Sequence, residues 1–276
     1  MNNNNRIKTT KLTIAIDATN LSIGGGVTHI VELLNNSTPS DFKIDKVIIW
    51  GLKNTIGKIN NKEWLIKRSP ANINKGILRK ILWKIFVLPN LLKKYKVDLL
   101  FVPGGSYLGD FKPTVVMCRN LLPFNWKELS RYGISYKFFK YIILRYVQLR
   151  SFKKNTGIIF LNEFARKNIE KYSGSLNAVN TIINHGLSKR FFYKSRECLP
   201  INAYSKSRPF KLIYVSDLEP YKHHWHVVSA VSMVRKQTGW PLQLILVGRP
   251  RHNQSSLLLK KAIKKYDPYS SWINLF

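Results

Sequence analysis

The chain has 276 residues, 45% hydrophobic and 12% aromatic, enough for about two domains whose cores need neither disulfide nor metal. Lys and Arg number 46 against 14 Asp and Glu, and a formal charge of +32 points either to a polyanion nearby (nucleic acid, anionic lipid or a phosphorylated substrate) or to the Lys, Asn and Ile bias of an AT-rich genome. A small stapled scaffold and a wholly disordered chain are excluded.

Leu12–Ile16 is a short apolar run ending at Asp17. Gly24-Gly25-Gly26 follows, and Val27–Leu34 reads as a helix. Similar strands are expected at Lys46–Trp50, Val97–Val102, Thr114–Met117 and Gly157–Leu161, with helices between several of them, as in a parallel sheet covered on both faces. Lys189–Pro209 reads as a linker or an early edge of the second domain. A second series then runs through a strand at Lys211–Val215, a helix over 222–236, a strand at Leu242–Gly248, a helix over 255–266 and an apolar end at Trp272–Phe276. The domain division expected is a flexible basic terminus 1–10, a first domain 11–186, a crossover 187–209 and an incomplete second domain 210–276.

Cys118 sits in the apolar run Thr114–Cys118 and reads as a small core residue. With Cys198 it forms no zinc-like grouping, which points to a reducing compartment. The first eleven residues lack the apolar core of a signal peptide, and Lys84, Lys140 and Arg145 interrupt the longest apolar stretches. A cytoplasmic chain without a membrane-spanning helix is expected.

Three glycines after a strand let backbone approach a ligand closely and aim the next helix's free N–H groups at it, although a tight turn would use them equally well. The loop is neither a dinucleotide fingerprint nor a Walker A sequence, and the second strand runs into Trp50-Gly51-Leu52-Lys53 without the acid that would hold a nicotinamide ribose. Nicotinamide chemistry and P-loop hydrolysis are therefore disfavoured.

At this point the residues resemble the retaining GT-B glycosyltransferases of family four. The resemblance is carried by Ile16-Asp17 with Gly24–His29; by Arg119–Phe124; by Ile158–Ala165; by Asn184–Leu187 with Arg190-Phe191; by Tyr214–His223; and by Leu244–Gly248, all in the family's order. It implies an α/β chain of two Rossmann-like domains, the second incomplete, and transfer of a sugar from a nucleotide-sugar donor with retained configuration and no obligatory metal or other cofactor. The acceptor implied is a glycan or lipid-linked glycan of cell-surface polysaccharide or lipopolysaccharide assembly. Within it, Gly24, Gly25, Gly26 and Arg119 would bind substrate, Asn120 would stand at the reacting sugar, and Lys222 and Arg249 would bind the donor phosphates.

The departures are specific. Asp217 stands where the family places an arginine five positions before the lysine, Arg119-Asn120 where many members carry a histidine, and no two glutamates lie eight positions apart as the family's donor pair does. The donor domain is expected to be cut short and the isolated chain to turn over poorly. His29 and His185 read as core or capping histidines.

Residues 75–96 contain Lys75, Arg79, Lys80, Lys84, Lys93, Lys94 and Lys96 and no acid. At 100° per residue Ile77, Leu78, Ile81, Leu82, Ile85 and Leu88 share a face flanked by Lys75, Arg79, Lys80 and Lys84. Such a helix packs on a sheet, lies on an anionic membrane, or does both. Trp126–Lys154 adds eight basic residues against Glu128, among aromatics, and its all-round apolar pattern points to burial in a core. Peripheral binding to the inner face of the plasma membrane is expected. A non-catalytic scaffold and a nucleic-acid-binding protein are the rivals; no specific nucleic acid is expected, because no RNA- or DNA-binding motif is present.

Overall fold

The structure, a computed structural model, describes residues 11–71, 73, 76–195, 197 and 199–276. The expected basic terminus 1–10, Lys75 and Cys198 lie outside the described residues, as do the side chains of Ile77 and Leu78. The chain forms two compact units. One runs to Asn125 and resumes over Phe139–Phe191; the other combines Trp126–Phe138 with Phe192–Phe276. Trp126–Phe138 falls inside the first domain of the expected division, yet its contacts group it with the second unit.

The first unit begins with β1 (Leu12–Ala18), α1 (Gly25–Asn35), β2 (Ile44–Gly51), the short α2 (Lys53–Ile56) and β3 (Leu65–Arg68). Next come α3 (Ile77–Leu82), a π-helical turn (Trp83–Val87), α4 (Leu88–Lys94), β4 (Leu99–Val102) and β5 (Thr114–Cys118). After α5 (Trp126–Leu129), which belongs to the second unit, come α6 (Tyr136–Lys154), β6 (Gly157–Phe160), α7 (Glu163–Ser173) and β7 (Val179–Ile182). Among the described residues the strands form one parallel sheet in the order β3-β2-β1-β4-β5-β6-β7. Side chains alternate between its faces: Ile16, Val47 and Ile49 pack with Val27, Ile30 and Leu34 of α1, whereas Ala15, Ile48 and Trp50 pack with Leu88 and Leu92 of α4. Burying both faces is what a parallel sheet requires.

The second unit carries β8 (Phe210–Val215), α8 (His224–Thr238), β9 (Leu242–Val247), α9 (Asn253–Tyr266) and β10 (Ile273–Leu275), its strands parallel in the order β10-β9-β8. Leu212, Leu242, Leu244, Leu246 and Ile273 pack with Val228 and Val231 of α8 and Leu259 of α9. Asp267 closes the turn into β10: its buried carboxylate accepts from the N–H groups of Ser271, Trp272 and Ile273 and from the Ser271 hydroxyl, at 2.7 to 3.0 Å.

Two strands, β3 and β7, were not expected. Both lie at sheet edges, and the sequences Leu-Ile-Lys-Arg and Val-Asn-Thr-Ile carry little of the apolar signal of a central strand. A second difference concerns residues 77–94. Leu88 and Leu92 are buried as expected, but Ile81, Leu82 and Ile85 are exposed, and Lys84 turns inward. Burial of α6 is likewise confined to Gln148, Ser151 and Phe152, while Phe139, Ile143 and Tyr146 face solvent. Cys118 is buried in β5 as a core residue, and burial pushes its thiol up to about 12.

Candidate functional site

In the first unit the sheet order reverses direction between β1 and β4, and the carboxyl ends of those strands open onto the loops where ligands of open α/β sheets bind. Asp17, the penultimate residue of β1, is fully buried. One carboxylate oxygen accepts from the Thr19 N–H at 3.1 Å and hydroxyl at 2.6 Å, and the other meets Lys84 Nζ at 2.7 Å, off the line of a hydrogen bond. Asp17 is thus a structural peg.

Gly24 begins α1 with φ +73°, a conformation costly for other residues, and its carbonyl accepts from the Val27 N–H at 3.0 Å. Gly25 faces open space. Gly26 lies directly beneath the Arg119 guanidinium: a Cβ built there would stand 2.3 Å from one terminal nitrogen. Arg119 comes from the loop after β5, so two expected substrate residues meet. Among the described residues no carboxylate lies within ion-pair distance of Arg119, and burial lowers the pKa of its guanidinium below the ordinary value. Its Nε is buried without a hydrogen-bond partner.

His29, on the first turns of α1, packs against His185, with ring centroids 4.8 Å apart. Burial first, then His185 and Arg119, lowers its pKa to about 4, and its Nε2 is buried without a partner. Neither histidine caps a helix; of the two roles expected, core or cap, His29 comes nearer the first, being half-buried, while His185 is exposed. Asn120 is exposed, and its Oδ1 accepts from the Leu122 N–H at 3.0 Å, so that oxygen shapes a turn. Pro103-Gly104-Gly105 at the end of β4 was overlooked. Gly104 packs against Asn20, and Gly105 takes φ +70° with Met117 O only 2.8 Å from where a Cβ would sit. A glycine pair directly after a strand was the available signal.

In the second unit Lys222 ends a 3₁₀ turn (Pro220–Lys222), and His223, with φ +54°, separates it from α8. Lys222 therefore lies just ahead of the helix that was expected to begin with it. The Tyr214 hydroxyl donates to the Lys222 carbonyl at 2.7 Å, and the buried His224 ring bonds the Ser216 carbonyl at 3.0 Å, so two unforeseen side chains brace the loop. Lys222 Nζ lies 5.1 Å from the Tyr221 ring centre, and among the described residues no carboxylate is within ion-pair distance of it.

Arg249 is placed differently. Its side chain points to Asp217 at 3.7 Å and its backbone N–H donates to the same carboxylate at 3.2 Å, while Arg251 Nε reaches the other oxygen at 3.1 Å. Arg251 foremost, then Arg249, hold the Asp217 carboxyl below its usual range. Asp217 is neutralised by both arginines, and Arg249 is committed to it. The carboxyl ends of β8 and β9 border a cavity of about 500 Å³ lined by Val215, Ser216, Asp217, Val247, Gly248 and Arg249. Gly248 is required there, since a Cβ would fall 1.8 Å from the Ser216 carbonyl oxygen. Among the described residues no group of three or more His, Cys, Asp or Glu side chains could hold a metal ion, and no helix is long and apolar enough to cross a membrane.

No protein-family model matches the chain, and no curated protein matches it in sequence. Solved structures do match in fold. A glycosyltransferase from Rickettsia africae aligns over 97% of this chain and 68% of its own, with 15% identity and a TM-score of 0.58. WaaG, a glycosyltransferase of lipopolysaccharide biosynthesis, aligns over 95% of this chain and 69% of its own, with 13% identity and a TM-score of 0.58. The MnaA–UDP structure from S. aureus aligns over 96% of this chain and 68% of its own, with 11% identity and a TM-score of 0.51. The architecture is the α/β fold of GT-B proteins, with a seven-stranded and a smaller three-stranded parallel sheet.

Proposed function

We propose that the chain is a glycosyltransferase of the retaining family-four kind, using a nucleotide-sugar donor and a glycan or lipid-linked acceptor in cell-surface polysaccharide or lipopolysaccharide assembly. The observation that carries this reading is a pair of cationic side chains beyond strand ends that, among the described residues, have no carboxylate within ion-pair distance. They are Arg119 over Gly26 in the first unit and Lys222 on its braced turn in the second. The fold neighbours add support, since one acts in lipopolysaccharide biosynthesis and another was solved with UDP.

In this reading Lys222 stabilises the charge that builds on the departing diphosphate. Gly24, Gly25, Gly26 and Arg119 hold the acceptor side, and Asn120 offers its amide N–H groups to the reacting sugar. Arg249 acts through Asp217, cancelling a charge that would repel the diphosphate. The chemistry asks for no metal. Turnover by residues 1–276 alone is proposed to be low, because no glutamate pair at the family's spacing is present.

Binding is therefore the sensitive readout. Titration calorimetry with a panel of UDP- and GDP-sugars should give binding that Lys222→Ala weakens by about tenfold or more, the scale of one charge-assisted hydrogen bond. Arg119→Ala should leave that affinity unchanged and lower transfer to a lipid-linked acceptor. Absence of nucleoside-diphosphate binding, or indifference to Lys222→Ala, would overturn the assignment.

A further inference from the structure

Three groups able to carry positive charge meet in the first unit beyond β1, β5 and β7. Arg119 lies over Gly26, His29 stands three residues further along the same face of α1, and His185 packs against His29. After burial, His185 and Arg119 hold the His29 imidazole neutral. Arg119 Nε and His29 Nε2 are each buried without a hydrogen-bond partner, whereas buried polar atoms of folded proteins are ordinarily satisfied. Asp17 offers no counter-charge, because Thr19 holds one of its oxygens and Lys84 the other, and the first turn of α1 has no acid.

We propose that Arg119 and His29, with His185 against them, form a site for a doubly charged oxyanion, and that this oxyanion is a phosphate group of the acceptor. The second half of the proposal rests on the transferase reading, in which Lys222 of the second unit serves the donor. Charge and geometry decide the ligand. A guanidinium presents a planar fork of donors that fits two oxygens of one phosphate. A sugar hydroxyl would take one of those donors and leave the charge of Arg119 without compensation. A dianion also reverses the field at His29: two negative charges match Arg119 together with a protonated imidazole, whose Nε2 then donates. Filling the site therefore draws a proton onto His29, and binding strengthens as pH falls.

Sulfate is the probe, because it stays doubly charged across the range tested whereas phosphate itself titrates there. Titration calorimetry of the full chain at constant ionic strength should show sulfate bound about tenfold tighter at pH 5 than at pH 8. Ring-carbon NMR should show the His29 titration move from about 4 to about 6 when sulfate is added. Arg119→Ala should lose binding at both pH values, and His29→Gln should keep the affinity at pH 8 and lose the gain at pH 5. Gly26→Ala, whose Cβ would displace the guanidinium, should weaken binding about tenfold at unchanged Tm. A His29 titration that sulfate does not move overturns the proposal, and so does binding indifferent to Arg119→Ala. UDP separates the two sources of phosphate: it should bind without displacing sulfate, and displacement would assign the oxyanion to the donor and overturn its assignment to the acceptor. If UDP fails to bind while sulfate still requires Arg119, the transferase reading falls and the oxyanion site stands.

Discussion

Gly26 and Arg119 occupy adjoining space, so the absence of one side chain is the condition for the position of the other. That meeting was legible in part, since both residues lie just beyond strand ends, where ligand-facing residues of parallel sheets gather. The contact between His29 and His185 was not, because it joins residues far apart in sequence through loop geometry that no local pattern encodes. Its consequence is a pH dependence with a definite sign. His29 ordinarily titrates near 6.5 and in the folded chain near 4, so below 6.5 the unfolded state takes up a proton that the native state refuses. Stability should fall as pH drops from 6.5 to 4, with no contribution from His29 above that window. Urea midpoints at pH 7.5 and 5 should separate in the native chain and draw together in His29→Gln.

The helix run 77–94 shows why elements were easier to locate than to orient. Its existence follows from the apolar spacing, but a stop near Pro89 was expected, whereas Pro89 sits in the first turn of α4 and the helical run continues to Lys94. The outward and inward faces were assigned at a constant 100° per residue, and the π turn at Trp83–Val87 breaks that phase. Lys84, expected on the flank, instead reaches the buried Asp17. Lys84→Ala leaves that carboxylate buried with its Thr19 hydrogen bonds but without a counter-charge, and should cost about 3–5 kcal/mol in denaturant unfolding. Asp17→Asn with Lys84→Met should cost less than Lys84→Ala alone, since the amide oxygen still serves Thr19 and no buried charge remains. Equal costs would mean that the ion pair has no role in the loss. Central strands were read correctly because burial on both faces makes their apolar runs continuous, whereas the half-exposed edges β3 and β7 were not.

At the scale of the whole molecule, the fold was readable in alternation of strand and helix, while the partners of surface cations were not, as Arg249 and Asp217 illustrate. The two sheets also differ in cover. In the three-stranded sheet one face packs on α8 and α9, and the other leaves Ile213 65% and Val215 71% exposed. A parallel sheet bare on one face is a site of association. Ile213→Thr with Val215→Thr should raise the monomeric fraction in sedimentation at unchanged Tm; unaltered sedimentation would show that this face is inert. In the first unit, by contrast, a single wide turn carries Phe86 outward and Lys84 inward, two residues apart. A displacement of that turn would move the ring and the ammonium together, and the Asp17 carboxylate sits at the end of β1, from which the chain runs into the glycine loop.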